Sequence, residues 1–323
     1  MPGLTKLPPF PEDVPTHPLL IIDYQLIKQG DSEEIDRLWE AATKLGFCLK
    51  NHGVDAEVDN MFEAGAETMR LPLEEKMQYT QGEGEFFFGY EAKGSSAIDD
   101  SGTPDTTEYL NISKDDALAW PEKVHREYPS TVNARMESTI KPFTQKSVEI
   151  NNTLLDVLND KLGFPKETLA SKHPMWEPSS CESRCIKSHP GIGGVEGRKT
   201  TLGAHTDFVS LTFLHNRLGG LQVLPPGSTN WYYVKALSST PPKDQANYER
   251  WSLAFFTRPA NNVVLRALKE DSPMVAEAVA SDPGKFETGQ SAYEWFHRRT
   301  KYRMIKYRTV RNKLLSPRFV TVD

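Results

Sequence analysis

The strongest constraint on the fold is a change of sequence pattern near the middle of the chain. From Ser183 onward, short apolar segments are separated by glycine and proline turns, for example at 191–197 and 225–227. Short strands punctuated in this way are typical of sandwiches and barrels made of β-strands. Such a structure has to pair its strand edges and cover the apolar face of each sheet with another layer.

The first half of the chain has a different, mainly helical pattern. Apolar residues recur at helical spacing in three segments, which predicts three amphipathic helices. These segments are 33–45, 57–69 and 130–162. Pro142 predicts a kink in the third helix, because a proline inside a helix removes one backbone hydrogen bond. An apolar run at 18–23 predicts a strand before the first helix, and the proline-rich residues 1–18 predict an extended arm.

Composition and charge exclude several classes of protein. The 323 residues, with 38% hydrophobic and 25% charged residues, fit one large or two ordinary globular domains. A net charge of −6 argues against a nucleic-acid-binding or anionic-membrane surface. No apolar run is long enough for a transmembrane helix, and the N-terminus lacks the pattern of a signal peptide. The three cysteines leave an odd thiol, which predicts a reducing compartment, the cytoplasm.

A His-x-Asp pair lies at the start of the β-rich half. His205 and Asp207 are two residues apart, so in an extended strand both side chains project from one face and can bind one ion. The pair alone is weak evidence, because histidine and aspartate are common at protein surfaces. Two histidines and one carboxylate bind non-haem Fe(II) on one side and leave the other positions open. The pair supplies two of these three ligands.

The sequence around this pair resembles a known enzyme family. The segments 200–208, 210–214 and 219–223 closely resemble the core of Fe(II)- and 2-oxoglutarate-dependent dioxygenases of the isopenicillin N synthase-like group. Arg250-Trp251-Ser252 resembles the Arg-x-Ser strand of that family. Three further segments resemble its N-terminal region, and the resemblance covers roughly residues 15 to 270. These segments are 18–23, 46–54 and 72–76.

The resemblance implies a fold of mixed α and β structure with four parts. After the N-terminal arm at 1–18, a helix-rich N-terminal region is expected at 19–175. A double-stranded β-helix, or jelly roll, is expected at 176–270, with the helices packed on it. A helical segment is expected at 271–323.

The resemblance also implies the contents of the site. Fe(II), 2-oxoglutarate and dioxygen would together oxidise a small organic molecule. His205 and Asp207 would be iron ligands, whereas Arg250 and Ser252 would hold the distal carboxylate of 2-oxoglutarate. Arginine suits that role, because its planar fork forms paired, charge-assisted hydrogen bonds to a carboxylate. Lys187 stands where some similar proteins place a basic residue, and it would also contribute to the co-substrate site.

One expected iron ligand is absent from the sequence. Family members carry a second histidine shortly before the Arg-x-Ser strand, but no histidine lies between His215 and His297 here. The segment that would carry it is missing near 238–242, so we expect an incomplete jelly roll, weak iron binding and uncoupled or absent turnover. His215 would lie roughly 26 Å from Asp207 along an extended strand. His297 falls in a segment with the pattern of an amphipathic helix.

Three functions remain open from the sequence. The chain is a 2-oxoglutarate-dependent oxygenase, a non-catalytic relative that binds a small molecule or protein partner, or an oxidase that uses no 2-oxoglutarate. Arg250 and Ser252 do not separate the first from the third, because the oxidase branch keeps a similar pair for its substrate carboxylate. Dependence of turnover on 2-oxoglutarate separates them. The sequence predicts neither the substrate nor the oligomeric state.

Overall fold

The computed structural model describes most of the chain. The described residues are 15–81, 88–95, 103–189, 203–235, 249–282, 284 and 287–301. Most of the predicted N-terminal arm and the predicted truncation near 238–242 lie outside the described residues.

Strands and helices follow the division seen in the sequence, with most helices in the first half. The strands are β1 (Leu20–Asp23), β2 (Phe47–Lys50), β3 (Gly89–Glu91), β4 (Thr107–Ser113), β5 (Glu182–Ser188), β6 (Leu211–Asn216), β7 (Gln222–Val223), β8 (Tyr232–Tyr233), β9 (Arg250–Thr257), β10 (Val264–Arg266) and β11 (Glu287–Ser291). The α-helices are α1 (Tyr24–Gln29), α2 (Ser32–Glu40), α3 (Asp55–Met69), α4 (Leu73–Met77), α5 (Lys114–Ala119), α6 (Ser130–Arg135), α7 (Lys141–Lys161), α8 (Pro273–Ser281) and α9 (292–301).

The three predicted amphipathic helices are confirmed. The first is α2 with the π-helical turn Ala41–Leu45, and the second is α3. The third consists of α6 and α7 joined by a second π-helical turn, Met136–Ile140. This turn ends two residues before Pro142, whose ring excludes an ordinary helical contact with the preceding turn. The kink predicted at Pro142 is therefore a π-helical turn on its N-terminal side.

The largest sheet is antiparallel and has the strand order β3-β4-β5-β9-β6. Helices α3 and α7 pack on one face of it. Phe143 of α7 and Phe255 of β9 are fully buried and meet edge to face, with ring centroids 6.3 Å apart. Gly65 allows α3 to approach β5 closely, because a Cβ at this position would lie 3.0 Å from Cys185 Sγ. This contact fixes which face of the sheet is turned toward the helices.

Three two-stranded sheets complete the described β-structure. Strands β1 and β2 are parallel and joined through α1 and α2, so the strand predicted at 18–23 before the first helix is confirmed. Strands β7 and β8 form an antiparallel pair, as do β10 and β11. The last pairing ties the segment after residue 271 to the β-rich part, so that segment is not purely helical. No helix in the described ranges has the length and apolar character needed to cross a membrane.

A buried polar network joins α5 to the loop before β5. Lys114, 2% exposed, donates hydrogen bonds from Nζ to the carbonyl oxygens of Met175 and Glu177, each at 2.8 Å. It also forms an ion pair with Asp115 at 2.8 Å. Asp115 in turn contacts His125 Nε2 at 3.1 Å. The network therefore carries buried charges that are each compensated by a partner.

The stability of this network should depend on pH through His125. Burial opposes the charging of His125, but its hydrogen bond with Asp115 and the charge of Asp116 raise its pKa above the ordinary value. The stabilisation is therefore complete below about pH 6.5 and is lost as the pH rises through the raised pKa of the folded state. We expect the difference in the free energy of unfolding between the unchanged protein and His125→Asn, measured with urea between pH 5 and 9, to be largest at low pH and to shrink as the pH rises. Taking the difference removes the opposite pH dependence of buried histidines whose pKa is lowered, such as His215. A difference that does not vary with pH would contradict this role of His125.

Candidate functional site

The two faces of β9 carry different chemistry, because successive side chains of a strand point to opposite faces. Trp251, Leu253 and Phe255 face the helices and are buried. Arg250, Ser252, Ala254 and Phe256 lie on the other face, which we call the inner face. The candidate site is built on this inner face.

The strand register determines the neighbours of β9 on the inner face. Asn216 of β6 lies opposite Ser252, and Thr212 of β6 lies opposite Phe256. Between them, Ala254 is flanked by Arg184 of β5. The inner face is therefore more polar than the face that packs against the helices.

The structure brings His205 and Asp207 together. Their Nε2 and Oδ1 atoms are 3.3 Å apart, and the side chains are 51% and 36% exposed. Both residues lie in an irregular segment that leads into β6, not in a regular strand. Thr212 Oγ1 donates a hydrogen bond of 2.7 Å to Asp207 Oδ2 and so anchors the carboxylate to β6. His205 Nδ1 lies 2.8 Å from the carbonyl oxygen of Gly203, a contact that orients the ring with Nε2 toward Asp207.

The surroundings of Asp207 keep its carboxylate ionised. Its hydrogen bond with His205, the hydrogen bond from Thr212 and the charge of Arg184 lower its pKa below the ordinary value, against the opposing effect of burial. A metal ligand has to be deprotonated, so this arrangement favours cation binding.

Arg250 and Ser252 converge on one acceptor. Ser252 Oγ donates a hydrogen bond of 2.5 Å to Asn216 Oδ1, and Arg250 Nη2 lies 3.5 Å from the same oxygen. Arg250 Nε is buried and has no hydrogen-bond partner among the described residues. Burial also lowers the pKa of Arg250 below its ordinary value. A guanidinium with an unsatisfied donor beside a hydroxyl fits a bound carboxylate.

The two halves of the site lie at different positions along β6. Thr212, which anchors Asp207, is four residues from Asn216, which contacts Arg250 and Ser252. Along a strand this separation is roughly 13 Å. Only long side chains or a ligand of similar length can connect the two halves.

No third metal ligand joins the pair within the described ranges, where no group of three or more His, Cys, Asp or Glu residues could hold a metal ion. His215 lies on the helix-facing side of β6, with its ring 4.2 Å from Phe213 and 5.9 Å from His52. Burial, with a smaller effect of His52, lowers the pKa of His215 to about 3. The ring of His297 packs on Tyr293 of α9 at 3.9 Å.

Lys187 lies away from Arg250 and Ser252. It is opposite Trp251 in the register of β5 and β9, and therefore on the helix-facing side of the sheet. Its Nζ pairs with Glu249 at 3.0 Å and lies 5.7 Å from the centre of the Trp251 ring. We therefore leave Lys187 out of the candidate co-substrate site, because its strand position turns its side chain away.

Three inner-face residues were not found from the sequence: Arg184, Thr212 and Asn216. Arg184 alternates with Cys185 and Lys187, which is the pattern of a strand with two different faces. That pattern alone does not say which face belongs to the site. The register with β9 supplies this information.

Comparison with known proteins finds similarity to the same group of enzymes. Residues 19–132 match the family model described as the non-haem dioxygenase in morphine synthesis N-terminal region. A 2-oxoglutarate-dependent dioxygenase of Aspergillus fumigatus is 24% identical over 355 aligned positions, which cover 91% of each chain. The chain is thus similar to Fe(II)/2-oxoglutarate-dependent dioxygenases in both comparisons.

Solved structures of 2-oxoglutarate oxygenases share the fold of this chain. A full-length Neurospora crassa protein in complex with alpha-KG has a TM-score of 0.68 and 18% identity, over 92% of this chain and 100% of the Neurospora crassa chain. JOX2 in complex with 2OG, Fe and JA has a TM-score of 0.60 and 19% identity, over 90% of this chain and 94% of JOX2. The predicted fold, a jelly roll with helices packed on it, is confirmed.

Proposed function

We propose that this protein binds Fe(II) and 2-oxoglutarate and oxidises a small organic molecule. The observation that carries the proposal is the inner face, where Arg250 and Ser252 share one sheet surface with Thr212, the residue that anchors Asp207. When bound, the iron supplies the redox chemistry by which dioxygen oxidises 2-oxoglutarate and the substrate. The protein's own residues bind and orient the reactants.

The proposed role of each residue follows from its contacts. Arg250 and Ser252 hold the distal carboxylate of 2-oxoglutarate, which displaces the amide oxygen of Asn216 from them. This orients the keto-acid end toward His205 and Asp207. The lowered pKa of Asp207 keeps its carboxylate charged at neutral pH, so it can bind a cation without first losing a proton.

Both residues expected to hold 2-oxoglutarate, Arg250 and Ser252, lie together, whereas the iron ligands are incomplete. Among the described residues two donors, His205 and Asp207, lie together where the family arrangement requires three. The alignment with the Aspergillus fumigatus relative extends over 355 positions, more than the 323 residues of this chain, so that relative contains segments that are missing here. We infer that this chain binds iron through two protein ligands and more weakly than a complete site does.

A second function is favoured by the incomplete donor set. A relative that retains Arg250 and Ser252 but turns over no substrate would serve as a binding protein for a small carboxylate or a protein partner. The assignment to the isopenicillin N synthase-like group and the cytoplasmic location also stay predictions from the sequence.

Formation of succinate from 2-oxoglutarate tests the proposed function. We expect the purified protein with Fe(II) and dioxygen to form succinate, and His205→Ala to form none. His297→Ala is the control and should retain the activity, since its ring packs on Tyr293 within α9. Oxygen uptake that does not require 2-oxoglutarate would indicate the oxidase. Neither succinate nor oxygen uptake from the folded protein would favour the binding protein.

A further inference from the structure

Arg184 occupies the middle of the inner face, and beyond its charge effect on Asp207 no ligand contact has been assigned to it so far. It lies opposite Ala254, one same-face position from Ser252 and one from Phe256. At about 3.3 Å per residue, each of these steps is roughly 7 Å. Arg184 is therefore between the Arg250–Ser252 end and the Asp207 end of the site.

The guanidinium of Arg184 is held in a fixed orientation but is not fully used. Its Nε donates a hydrogen bond of 2.6 Å to Asn111 Oδ1, and its Nη2 donates one of 3.0 Å to Glu182 Oε1. The Tyr109 and Phe256 rings lie 5.6 and 4.9 Å from the guanidinium carbon. Nη1 has no hydrogen-bond partner among the described residues, and 22% of the side chain remains exposed. An edge of the guanidinium is thus available to a ligand.

Asn111 provides a second unused donor at the same place. The residue is completely buried, and its Oδ1 is occupied by Arg184. Its Nδ2 has no hydrogen-bond partner in the described part of the chain. A buried amide donor without an acceptor is costly, so a ligand that supplies an acceptor oxygen would be favoured.

The charge around Arg184 favours an anion. Arg184 and Arg258 share the single carboxylate of Glu182, which is 1% exposed, with Nη2–Oε1 distances of 3.0 and 3.3 Å. Two guanidiniums and one carboxylate leave one positive charge in excess. Asp207 compensates this charge at longer range. Once Asp207 binds a cation, it compensates the charge of Arg184 less. Binding of another anion next to Arg184 then becomes more favourable.

We propose that Arg184 and Asn111 form a second carboxylate site on the inner face, which holds the substrate while Arg250 and Ser252 hold 2-oxoglutarate. The substrate class is then a small organic carboxylate. This proposal rests on the proposed function for the role of the ligand as substrate. The same contacts suit a carboxylate of 2-oxoglutarate itself, so the experiment has to distinguish the two sources.

Benzoate is a suitable probe, because one carboxylate on an aromatic ring can bind Arg184 but cannot span both ends of the site. We expect benzoate to bind the protein with millimolar affinity by calorimetry, under anaerobic conditions with Fe(II) and saturating 2-oxoglutarate. Arg184→Met should weaken benzoate binding by at least about tenfold through loss of a charge-assisted hydrogen bond. The affinity for 2-oxoglutarate should change less than about twofold.

Two further variants separate binding from folding. Asn111→Asp keeps an acceptor oxygen for Arg184 Nε but replaces the Nδ2 donor with a charged oxygen. If Asn111 belongs to a carboxylate site, this variant should lose benzoate binding. If Asn111 only supports the fold, benzoate binding should be unchanged. Lys187→Met is the matched control, since Lys187 lies on the same strand, is half-buried and pairs with an acidic residue, but faces the helices. It should bind benzoate like the unchanged protein.

Three results would overturn the proposal. The first is that the unchanged protein does not bind benzoate, and the second is that Arg184→Met binds benzoate as tightly as the unchanged protein. The third is that Arg184→Met also loses affinity for 2-oxoglutarate, which would assign Arg184 to the co-substrate. A titration of benzoate without iron or 2-oxoglutarate separates this proposal from the proposed function. If iron and 2-oxoglutarate fail to bind but benzoate binding still depends on Arg184, the proposed function fails and the carboxylate site stands.

Discussion

Arg250→Ala should weaken the binding of 2-oxoglutarate by about a hundredfold, because truncating one partner of a buried charged hydrogen-bonded pair costs about 3 kcal/mol. Arg250 Nε is buried and has no partner among the described residues, and Nη2 contacts Asn216 Oδ1 at 3.5 Å. A bound carboxylate would therefore supply the main hydrogen-bond acceptor of this guanidinium. Calorimetric titration of 2-oxoglutarate into the protein with Fe(II), without oxygen, measures the change.

Ser252→Ala should have a smaller effect on the same titration, about tenfold, because a single hydrogen bond to a charged group is lost. Lys187→Ala should leave the affinity for 2-oxoglutarate unchanged, since this residue faces the helices. A change of less than about threefold in Arg250→Ala would show that the carboxylate binds elsewhere. The Arg-x-Ser pair would then serve only to hold Asn216.

Lys114→Met should destabilise the fold by about 3 to 5 kcal/mol, which is typical of breaking a buried ion pair by removing one partner. Lys114 is 2% exposed, pairs with Asp115 and donates hydrogen bonds to two backbone carbonyls before β5. Without it, Asp115 keeps only its contacts with His125 and the backbone N–H of Ser179 among the described residues. The free energy of unfolding in urea at pH 7 measures the effect.

Lys123→Met is the control for burial. Lys123 pairs with Glu127 at 3.2 Å, but the two side chains are 57% and 76% exposed. Exposed pairs of this kind contribute less than about 1 kcal/mol. Similar losses of stability in both variants would contradict the view that the Lys114 network holds α5 against the β5 loop.

Local patterns were sufficient to predict the helices and the ligand pair. Helix α3 was expected at 57–69 and spans Asp55–Met69, because its apolar spacing is strong and local. His205 and Asp207 lie close in sequence, and the structure brings their side chains within 3.3 Å. Such features depend on residues that are near one another along the chain.

Features that depend on strand register were not predictable in the same way. Lys187 and Arg184 lie on one strand at positions of opposite parity, so only the pairing with β9 shows that Arg184 shares a face with Ser252. The local sequence favours Lys187 for the site and does not single out Arg184. The pairing joins residues that are far apart along the chain, and no local pattern specifies it.

The proposed function depends most on whether His205 and Asp207 bind iron together with 2-oxoglutarate. The direct measurement is an anaerobic titration of Fe(II) into the protein with 2-oxoglutarate, followed by the metal-to-ligand charge-transfer band of the chelated co-substrate. We predict a band in the unchanged protein that is absent in His205→Ala and weaker in Arg250→Ala. A folded protein that shows no band at any Fe(II) concentration would contradict the account and leave the binding protein as the function.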